Sequence, residues 1–382
     1  MQYYSLYNLI DICVDPTIPS ETISSIDFQI EYFKIDKQNF TCPYKIKILN
    51  YSNFVHEKQN EEVLFYLRKG CIGHMYHDPT QKLVIQRDDN GYTCYVDKNF
   101  LISVPIQLLL LKKNISFVHA AGAVDQNGNV ILFPGPGAVG KTAIINHVIK
   151  NKGCRLLGDD VIALNKNGEC LCFPRKFVLK EYHIEVYPEI FKMLNIKKED
   201  FHVKKEDPRE SRKKYLKTLL IDRILIRNLP FVGITKSILT RSNLIQYIRR
   251  DNKESERVHV IENVLIDIEK IFGKECIASK GKLRRIIFLE RISGARCKIK
   301  TIEQDILANK MFSIINQEWV NYMQQLFSLG ALEIIDLYDY FKKMKEIITN
   351  GITGTNPLIL QIPREATYAD LQDAYNQIER QL

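Results

Sequence analysis

The chain has 382 residues, a formal net charge of +9 and a hydrophobic fraction of 45%. These values are ordinary for a globular protein, and the length allows two domains or one large domain with a sizeable core. The moderate positive charge suits an anionic ligand such as a nucleotide, but it is too small to indicate nucleic-acid binding.

The cysteines and the apolar runs bear on the cellular compartment. The nine cysteines are scattered and form no C-x-x-C pair, which argues against a disulfide framework and a four-cysteine zinc site. We find no secretory signal at the start of the sequence. The longest apolar run, around residues 108–111, ends at Lys112, far short of the ~20 residues of a membrane span. We therefore expect a cytoplasmic protein without a membrane partner.

Residues 1–98 contain short runs in which polar and apolar residues alternate, separated by turn-forming clusters such as residues 88–91. Alternation of this kind predicts strands. We therefore predict a β-rich, antiparallel accessory domain over residues 1–98, with strands at 25–33, 45–48, 82–85 and 92–96. His74 and His77 have a metal-like spacing, but no cysteines or helical pattern accompany them, so zinc is the weaker interpretation.

The pattern changes after residue 98. A helix is predicted at 103–111, and strand and helix patterns then alternate, which favours an α/β core over residues 99–300. The predicted strands are 117–124, 129–133, 154–158, 161–164 and 285–290, and the predicted core helix is 141–150. Helical periodicity at 303–325 and 330–348 predicts a helical C-terminal region over residues 301–382.

A basic segment covers residues 192–217, where lysines and arginines are interrupted by acidic residues. Such a segment is most often a solvated helix face or a loop, and the alternative is a surface for an acidic substrate. The sequence leaves both interpretations open.

Residues 135–142 match the phosphate-binding pattern G-x-x-x-x-G-K-[ST] in full. Glycines let backbone N–H groups turn toward phosphate oxygens, and the following helix presents its positive end to them. An apolar strand leads into the loop and a helix leaves it, as a phosphate loop requires. Lys141 can reach the β- and γ-phosphates, and the Thr142 hydroxyl can bind Mg²⁺. We predict that the nucleotide is bound by Gly135, Gly137, Ala138, Val139, Gly140, Lys141, Thr142 and Ala143.

Two further signals flank the loop. Asp159 and Asp160 follow a predicted strand 18 and 19 residues after Lys141, where one carboxylate can hold Mg²⁺ and the other can orient a nucleophile. In isolation, an Asp–Asp pair is equally compatible with a turn. His119 lies on the strand before the loop, and a lone histidine in an apolar stretch is usually a core residue.

The combination of Val-His-Ala-Ala at 118–121, the strand and loop at 129–142, and Arg-Leu-Leu-Gly-Asp-Asp at 155–160 resembles the catalytic core of HPr kinase/phosphorylase-like proteins. These share a fold with the nucleotide-binding half of phosphoenolpyruvate carboxykinase. The resemblance covers roughly residues 115–165. It implies an α/β fold, α+β overall, with a P-loop kinase core of the HPr kinase/phosphoenolpyruvate carboxykinase type.

The resemblance also implies roles for individual residues. Asp159 would act on the acceptor hydroxyl as a base or orienting group, and Asp160 would bind the metal together with Thr142. His119 and Lys141 would lie beside the phosphates. The family's downstream glutamate-and-arginine signature is absent; Glu181 and Glu185 are the candidate replacements for its glutamate. The candidates for a transition-state arginine are Arg175, Arg291 and Arg296.

These observations predict a kinase that uses ATP, or another nucleoside triphosphate, and Mg²⁺. The acceptor would be a hydroxyl, on a serine of a peptide or protein or on a small-molecule alcohol. The alternative is a nucleotide-binding regulatory protein, an NTPase switch without an acceptor. A small-molecule carboxykinase is disfavoured because its substrate arginines and metal-binding motifs are absent. The sequence leaves a homo-oligomer open and does not favour a nucleic-acid partner.

Overall fold

The computed structural model describes residues 1–54, 75–78, 81–98, 100–179, 184, 188–193, 264–266, 269 and 273–380. The chain divides into two units. One consists of residues 1–177 and 266–382, and the other consists of residues 178–265. Among the described residues, every helix is too short or too polar to cross a membrane.

The first described sheet contains seven strands: β1 (Gln2–Leu6), β2 (Ile10–Val14), β3 (Lys34–Ile35), β4 (Tyr44–Asn50), β5 (Met75–Asp78), β6 (Leu83–Asp88) and β7 (Gly91–Val96). Their order is β3-β1-β2-β4-β7-β6-β5. Because β4 runs parallel to both β2 and β7, the sheet is mixed, and the prediction of an antiparallel domain is wrong. Parallel neighbours need a crossover connection, and helix α1 (Ser20–Ile30) lies in the connection between β2 and β4. The strands predicted near β4, β6 and β7 are confirmed.

Helix α1 overturns the strand predicted at residues 25–33. Its buried side chains are those of Thr22, Ile26, Gln29 and Ile30. This spacing of three and four residues places them on one face of a helix, whereas the alternation that suggested a strand covers only part of the segment. The segment is therefore a helix, because its buried residues follow the helical repeat and not the two-residue repeat of a strand.

Ten further described strands follow: β8 (Ile115–Val124), β9 (Asn129–Pro134), β10 (Arg155–Gly158), β11 (Val161–Asn165), β12 (Glu169–Leu171), β13 (Phe177–Leu179), β14 (Val264–Ile266), β15 (Lys280–Ile292), β16 (Lys298–Thr301) and β17 (Leu358–Pro363). β13 pairs with β14, and the other eight form the second sheet, in the order β10-β8-β11-β12-β15-β17-β16 with β9 between β8 and β15. The strands predicted in the core are confirmed, and β9, β15 and β17 run parallel.

The remaining described α-helices are α2 (Ser103–Lys112), α3 (Lys141–Lys152), α4 (Pro188–Met193), α5 (Gln304–Glu318), α6 (Val320–Ala331), α7 (Leu337–Gly351) and α8 (Tyr368–Arg380). The helices predicted at 103–111 and 141–150 are confirmed, so the fold is mixed α/β. The helix predicted at 303–325 is divided into α5 and α6 because Trp319 has non-helical backbone angles, φ −101° and ψ 55°. The C-terminal region also contributes strand β17 to the sheet.

Strand β8 pairs with three strands of the second sheet, β9, β10 and β11, and carries the candidate histidine. All ten of its residues are buried, and helices α2, α3, α5 and α7 pack against it. A strand buried on both faces has an almost continuous apolar sequence, and Ile-Ser-Phe-Val-His-Ala-Ala-Gly-Ala-Val departs from that rule only at Ser116 and His119. The burial of a titratable ring at this position has to be offset by polar contacts.

Candidate functional site

The strand pairing around β8 brings the three sequence motifs together. On one edge of β8, Ala120 pairs with Pro134, the residue before the phosphate loop. On the other edge, Gly158 pairs with Gly122 and Val161 pairs with His119, so β10 and β11 follow one line along β8. Asp159 and Asp160 form the two-residue interruption of that line. The loop, the aspartates and the histidine therefore surround one short segment of β8.

The phosphate loop has the strand–loop–helix context that the sequence predicts. Two of its residues have left-handed backbone angles, Ala138 with φ 56° and Gly140 with φ 110°, immediately before α3 begins. A Cβ atom at Gly135 would lie 2.7 Å from the Leu289 carbonyl oxygen on β15, so this position requires glycine. The positive end of α3 and the turned backbone give the loop the geometry of an anion site. Val139 and Ala143 are both buried, so they would contribute main-chain groups.

The Lys141 side chain is buried beneath the loop and has three acceptors. Its Nζ lies 2.8 Å from the Gly135 carbonyl oxygen, 2.8 Å from that of Pro136 and 3.1 Å from His119 Nε2. Burial lowers the pKa of Lys141, and the charges of Asp160, Asp159 and Glu318 act in the opposite direction. An ammonium has three protons, so all of them are engaged within the protein, and a phosphate would take over one of these contacts.

Asp159 contacts the phosphate-loop threonine. The Thr142 hydroxyl donates to the Asp159 carboxylate at 3.1 and 3.0 Å from its two oxygens. Burial, followed by repulsion from Asp160, raises the pKa of Asp159 from 3.8 to about 7, against the smaller lowering effects of Thr142 and Lys141. A hydroxyl and a carboxylate beside a phosphate site are the oxygen ligands that Mg²⁺ prefers, with phosphate oxygens and water completing the coordination. The residues therefore fit Mg²⁺. The described residues contain no cluster of three or more His, Cys, Asp or Glu side chains that could hold a metal by itself.

Asp160 lies between His119 and Arg175. Its Oδ1 is 3.2 Å from His119 Nδ1, and its Oδ2 is 3.6 Å from the Arg175 guanidinium, which also stacks over Phe173 at 5.5 Å. The His119–Asp160 contact is an ion-pair distance without hydrogen-bond alignment. Burial lowers the pKa of His119, while Asp160 opposes that effect. We assign neutral His119 the tautomer with the proton on Nδ1, because Nε2 then accepts from Lys141.

One contact to the loop and one to His119 come from residues with no local sequence signal. The backbone N–H of Gly137 donates to Glu318 Oε1 at 2.9 Å, and the ring of neighbouring Trp319 meets His119 edge-on at 6.1 Å between centroids. Arg291, one of the three arginine candidates, donates to the Ala138 carbonyl oxygen at 3.0 Å. Trp319 is the single tryptophan of the chain, but nothing in the spacing of α5 and α6 indicated their junction as part of the site.

The other candidates lie elsewhere. Arg296 is exposed in the segment between β15 and β16. Glu181, Glu185 and His74 lie outside the described residues, as does residue range 194–217 of the basic segment. His77 hydrogen-bonds to the Tyr51 hydroxyl at 2.8 Å.

Comparison with protein families and with functionally characterised proteins finds no match to this chain. Within the described residues, the loop with Lys141, the Thr142–Asp159 contact and the Asp160–His119 pair thus form a candidate anion and metal site. Its chemistry carries the functional inference.

Proposed function

We propose that this protein is a kinase that transfers the γ-phosphoryl group of ATP to a hydroxyl with the help of Mg²⁺. The observation that carries the proposal is the contact of Thr142 with Asp159 directly beside a phosphate loop. Together with His119 on the adjacent strand, this arrangement supports a P-loop kinase core of the HPr kinase/phosphoenolpyruvate carboxykinase type. The acceptor class is a serine of a peptide or protein, or a small-molecule alcohol.

The contacts favour an exchange of the roles that the sequence suggested for the two aspartates. Asp159 shares the Thr142 hydroxyl, so it belongs on the metal side, where Mg²⁺ would neutralise charge on the phosphates. Asp160 faces His119 and Arg175, so it is the group available to orient the acceptor hydroxyl and take its proton. His119 Nδ1 lies 3.2 Å from the Asp160 carboxylate and would stabilise it electrostatically, while Nε2 accepts from Lys141.

Phosphoryl transfer requires mainly positioning and charge stabilisation, which these residues can provide. The loop amides and the Lys141 ammonium would hold the phosphate chain, with Lys141 exchanging a loop carbonyl for a phosphate oxygen. Asp160 would align the acceptor hydroxyl with the terminal phosphorus. The proton of that hydroxyl would pass to the Asp160 carboxylate as the new P–O bond forms and the bond to ADP breaks.

Transfer of labelled γ-phosphate tests the proposal. The purified chain is incubated with γ-labelled ATP, Mg²⁺ and extract of its own cells, and Lys141→Ala serves as the inactive control. We expect label on a peptide, protein or metabolite with wild type, and transfer reduced about a hundredfold or more in the variant. Release of free phosphate without a labelled acceptor would instead support an NTPase switch. Folded protein that takes up no nucleotide would refute the proposal.

A second experiment separates the aspartates. Asp159→Asn should raise the Mg²⁺ concentration needed for half-maximal rate, because the metal loses an anionic ligand. Asp160→Asn should lower kcat by roughly a hundredfold or more with little change in Mg²⁺ dependence, the size typical of a lost base. If Asp159→Asn abolishes turnover at saturating Mg²⁺ while Asp160→Asn does not, the assignment suggested by the sequence is the right one.

A further inference from the structure

A carboxylate of the protein itself lies on the phosphate loop. Glu318 Oε1 accepts the Gly137 N–H at 2.9 Å, and a Cβ atom at Gly137 would be 3.0 Å from Glu318 Oε2. Both carboxylate oxygens therefore lie against the loop. A loop N–H donates one strong hydrogen bond, so a phosphate oxygen that uses the Gly137 amide has to displace Glu318.

The position of Glu318 in its helix shows that helix stability does not explain the residue. Glu318 is the last residue of α5. The C-terminal end of a helix carries a partial negative charge, so an acidic side chain there is unfavourable. Two positive groups of the phosphate-loop region compensate: the Gly137 N–H and, at longer range, the Lys141 ammonium. The pKa of Lys141 is lowered first by burial and is raised in part by carboxylates that include Glu318. The carboxylate is thus attracted by the same positive groups that would attract phosphate.

The junction after Glu318 links this contact to the rest of the site. Trp319 lies between α5 and α6, and its ring contacts that of His119 and also that of Tyr322, the latter at 5.5 Å between centroids. The Glu318 side chain is exposed, so it can leave the loop without opening the core. When the Glu318 side chain leaves the loop, the residue next to Trp319 is released. The Trp319 ring contacts His119, which in turn bonds Lys141.

We propose that Glu318 is an internal competitor of the phosphate chain: it occupies the Gly137 N–H, and its displacement by phosphate is transmitted to the α5–α6 junction through Trp319. This inference rests on the proposed function in that it takes residues 135–142 as a polyphosphate site. Removal of the carboxylate should leave the loop free, so polyphosphate affinity should increase. A hydrogen bond to a charged group is stronger than one between neutral groups, but solvent screens an exposed carboxylate. We therefore expect polyphosphate affinity to increase about fivefold.

Calorimetry with two probes, Mg²⁺–ATP and inorganic tripolyphosphate, tests the competition. Glu318→Gln removes the charge and Glu318→Ala removes the group, while Glu346→Gln removes an exposed charge of the same kind on α7 as the matched control. We expect both Glu318 variants to bind each probe about fivefold more tightly, and the control to bind as wild type does. Equal or weaker binding by the Glu318 variants would overturn the inference while leaving the proposed function intact.

The single tryptophan gives a second readout. Trp319 emission should change when tripolyphosphate binds to wild type, and the change should be smaller in Glu318→Ala, which has no side-chain acceptor for the Gly137 N–H. A change of full size in that variant would contradict the coupling. If the protein binds tripolyphosphate but not Mg²⁺–ATP, the nucleotide-dependent function is refuted, while the competition between Glu318 and phosphate stands. Failure of every protein to bind either probe would refute both.

Discussion

Asp159→Asn should stabilise the nucleotide-free protein, although it removes a proposed functional group. The wild-type carboxylate is partly buried beside Asp160, and this burial, followed by repulsion from Asp160, raises its pKa from 3.8 to about 7. A pKa change of this size corresponds to an upper bound of about 4 kcal/mol in the free energy of unfolding. Because Asp159 is partly exposed, solvent screening reduces the effect, and we expect about 1–2 kcal/mol. Asparagine keeps an oxygen that accepts from the Thr142 hydroxyl, so the packing changes little.

The direction of the pH dependence follows from proton linkage. Between about pH 4 and pH 7 the folded state holds a proton on Asp159 and the unfolded state does not, given the folded pKa of about 7. The folded state therefore binds more protons, and the contribution of Asp159 to the free energy of unfolding falls as pH rises through this range. The advantage of the asparagine variant should grow from about pH 4 to pH 7 and stay constant above pH 7.

Urea unfolding of wild type and variant at pH 5, 6, 7 and 8 measures this advantage, since the difference cancels other titrations common to both proteins. Asp89→Asn, in the exposed turn between β6 and β7, is the control and should show no such trend. A difference between Asp159→Asn and wild type that stays flat from pH 5 to pH 8 would refute the raised pKa. A gain in stability at the cost of activity would mark Asp159 as a residue kept for function.

Three other changes test separate parts of the site. Arg291→Ala should raise the Kd of Mg²⁺–ATP about tenfold in calorimetry because the Ala138 carbonyl loses its donor. Arg291→Lys should recover only part of the affinity, since an ammonium lacks the guanidinium fork. Equal affinity in all three proteins would contradict this role. Burial lowers the pKa of His119 below 6.5. Its contribution to the free energy of unfolding is therefore complete above pH 6.5 and is lost as pH falls through its folded pKa. The wild-type transfer rate should fall in the same pH range, and His119→Gln should lack this acid limb in a pH–rate profile. Gly135→Ala should lower the free energy of unfolding in urea by about 1–3 kcal/mol because its methyl group would meet the Leu289 carbonyl oxygen, and unchanged stability would show that the loop can move aside.

The structure also shows where local sequence patterns mislead. Residues 25–33 contain a polar–apolar alternation, yet they belong to helix α1 and the short 3-10 helix after it, because burial of Ile26 and Ile30 in the hydrophobic core decides the period. Similarly, periodicity at 303–325 could not reveal the break at Trp319, which is one residue with non-helical backbone angles. The parallel pairing of β2 with β4 was equally hidden, because strand direction depends on the path of the connection and not on the strand residues.

The sequence by itself determined the phosphate loop, its flanking strand and helix, and the presence of acidic residues at the end of a strand. These features arise from neighbours in the chain: glycine backbone freedom, a helix N-terminus and a lysine at fixed spacing. Only the tertiary structure decided which aspartate contacts Thr142 and which contacts His119, because that depends on the register of β10 and β11 along β8. It alone brought Glu318 to Gly137, 181 residues away, since such a contact results from the packing of whole elements and leaves no local pattern.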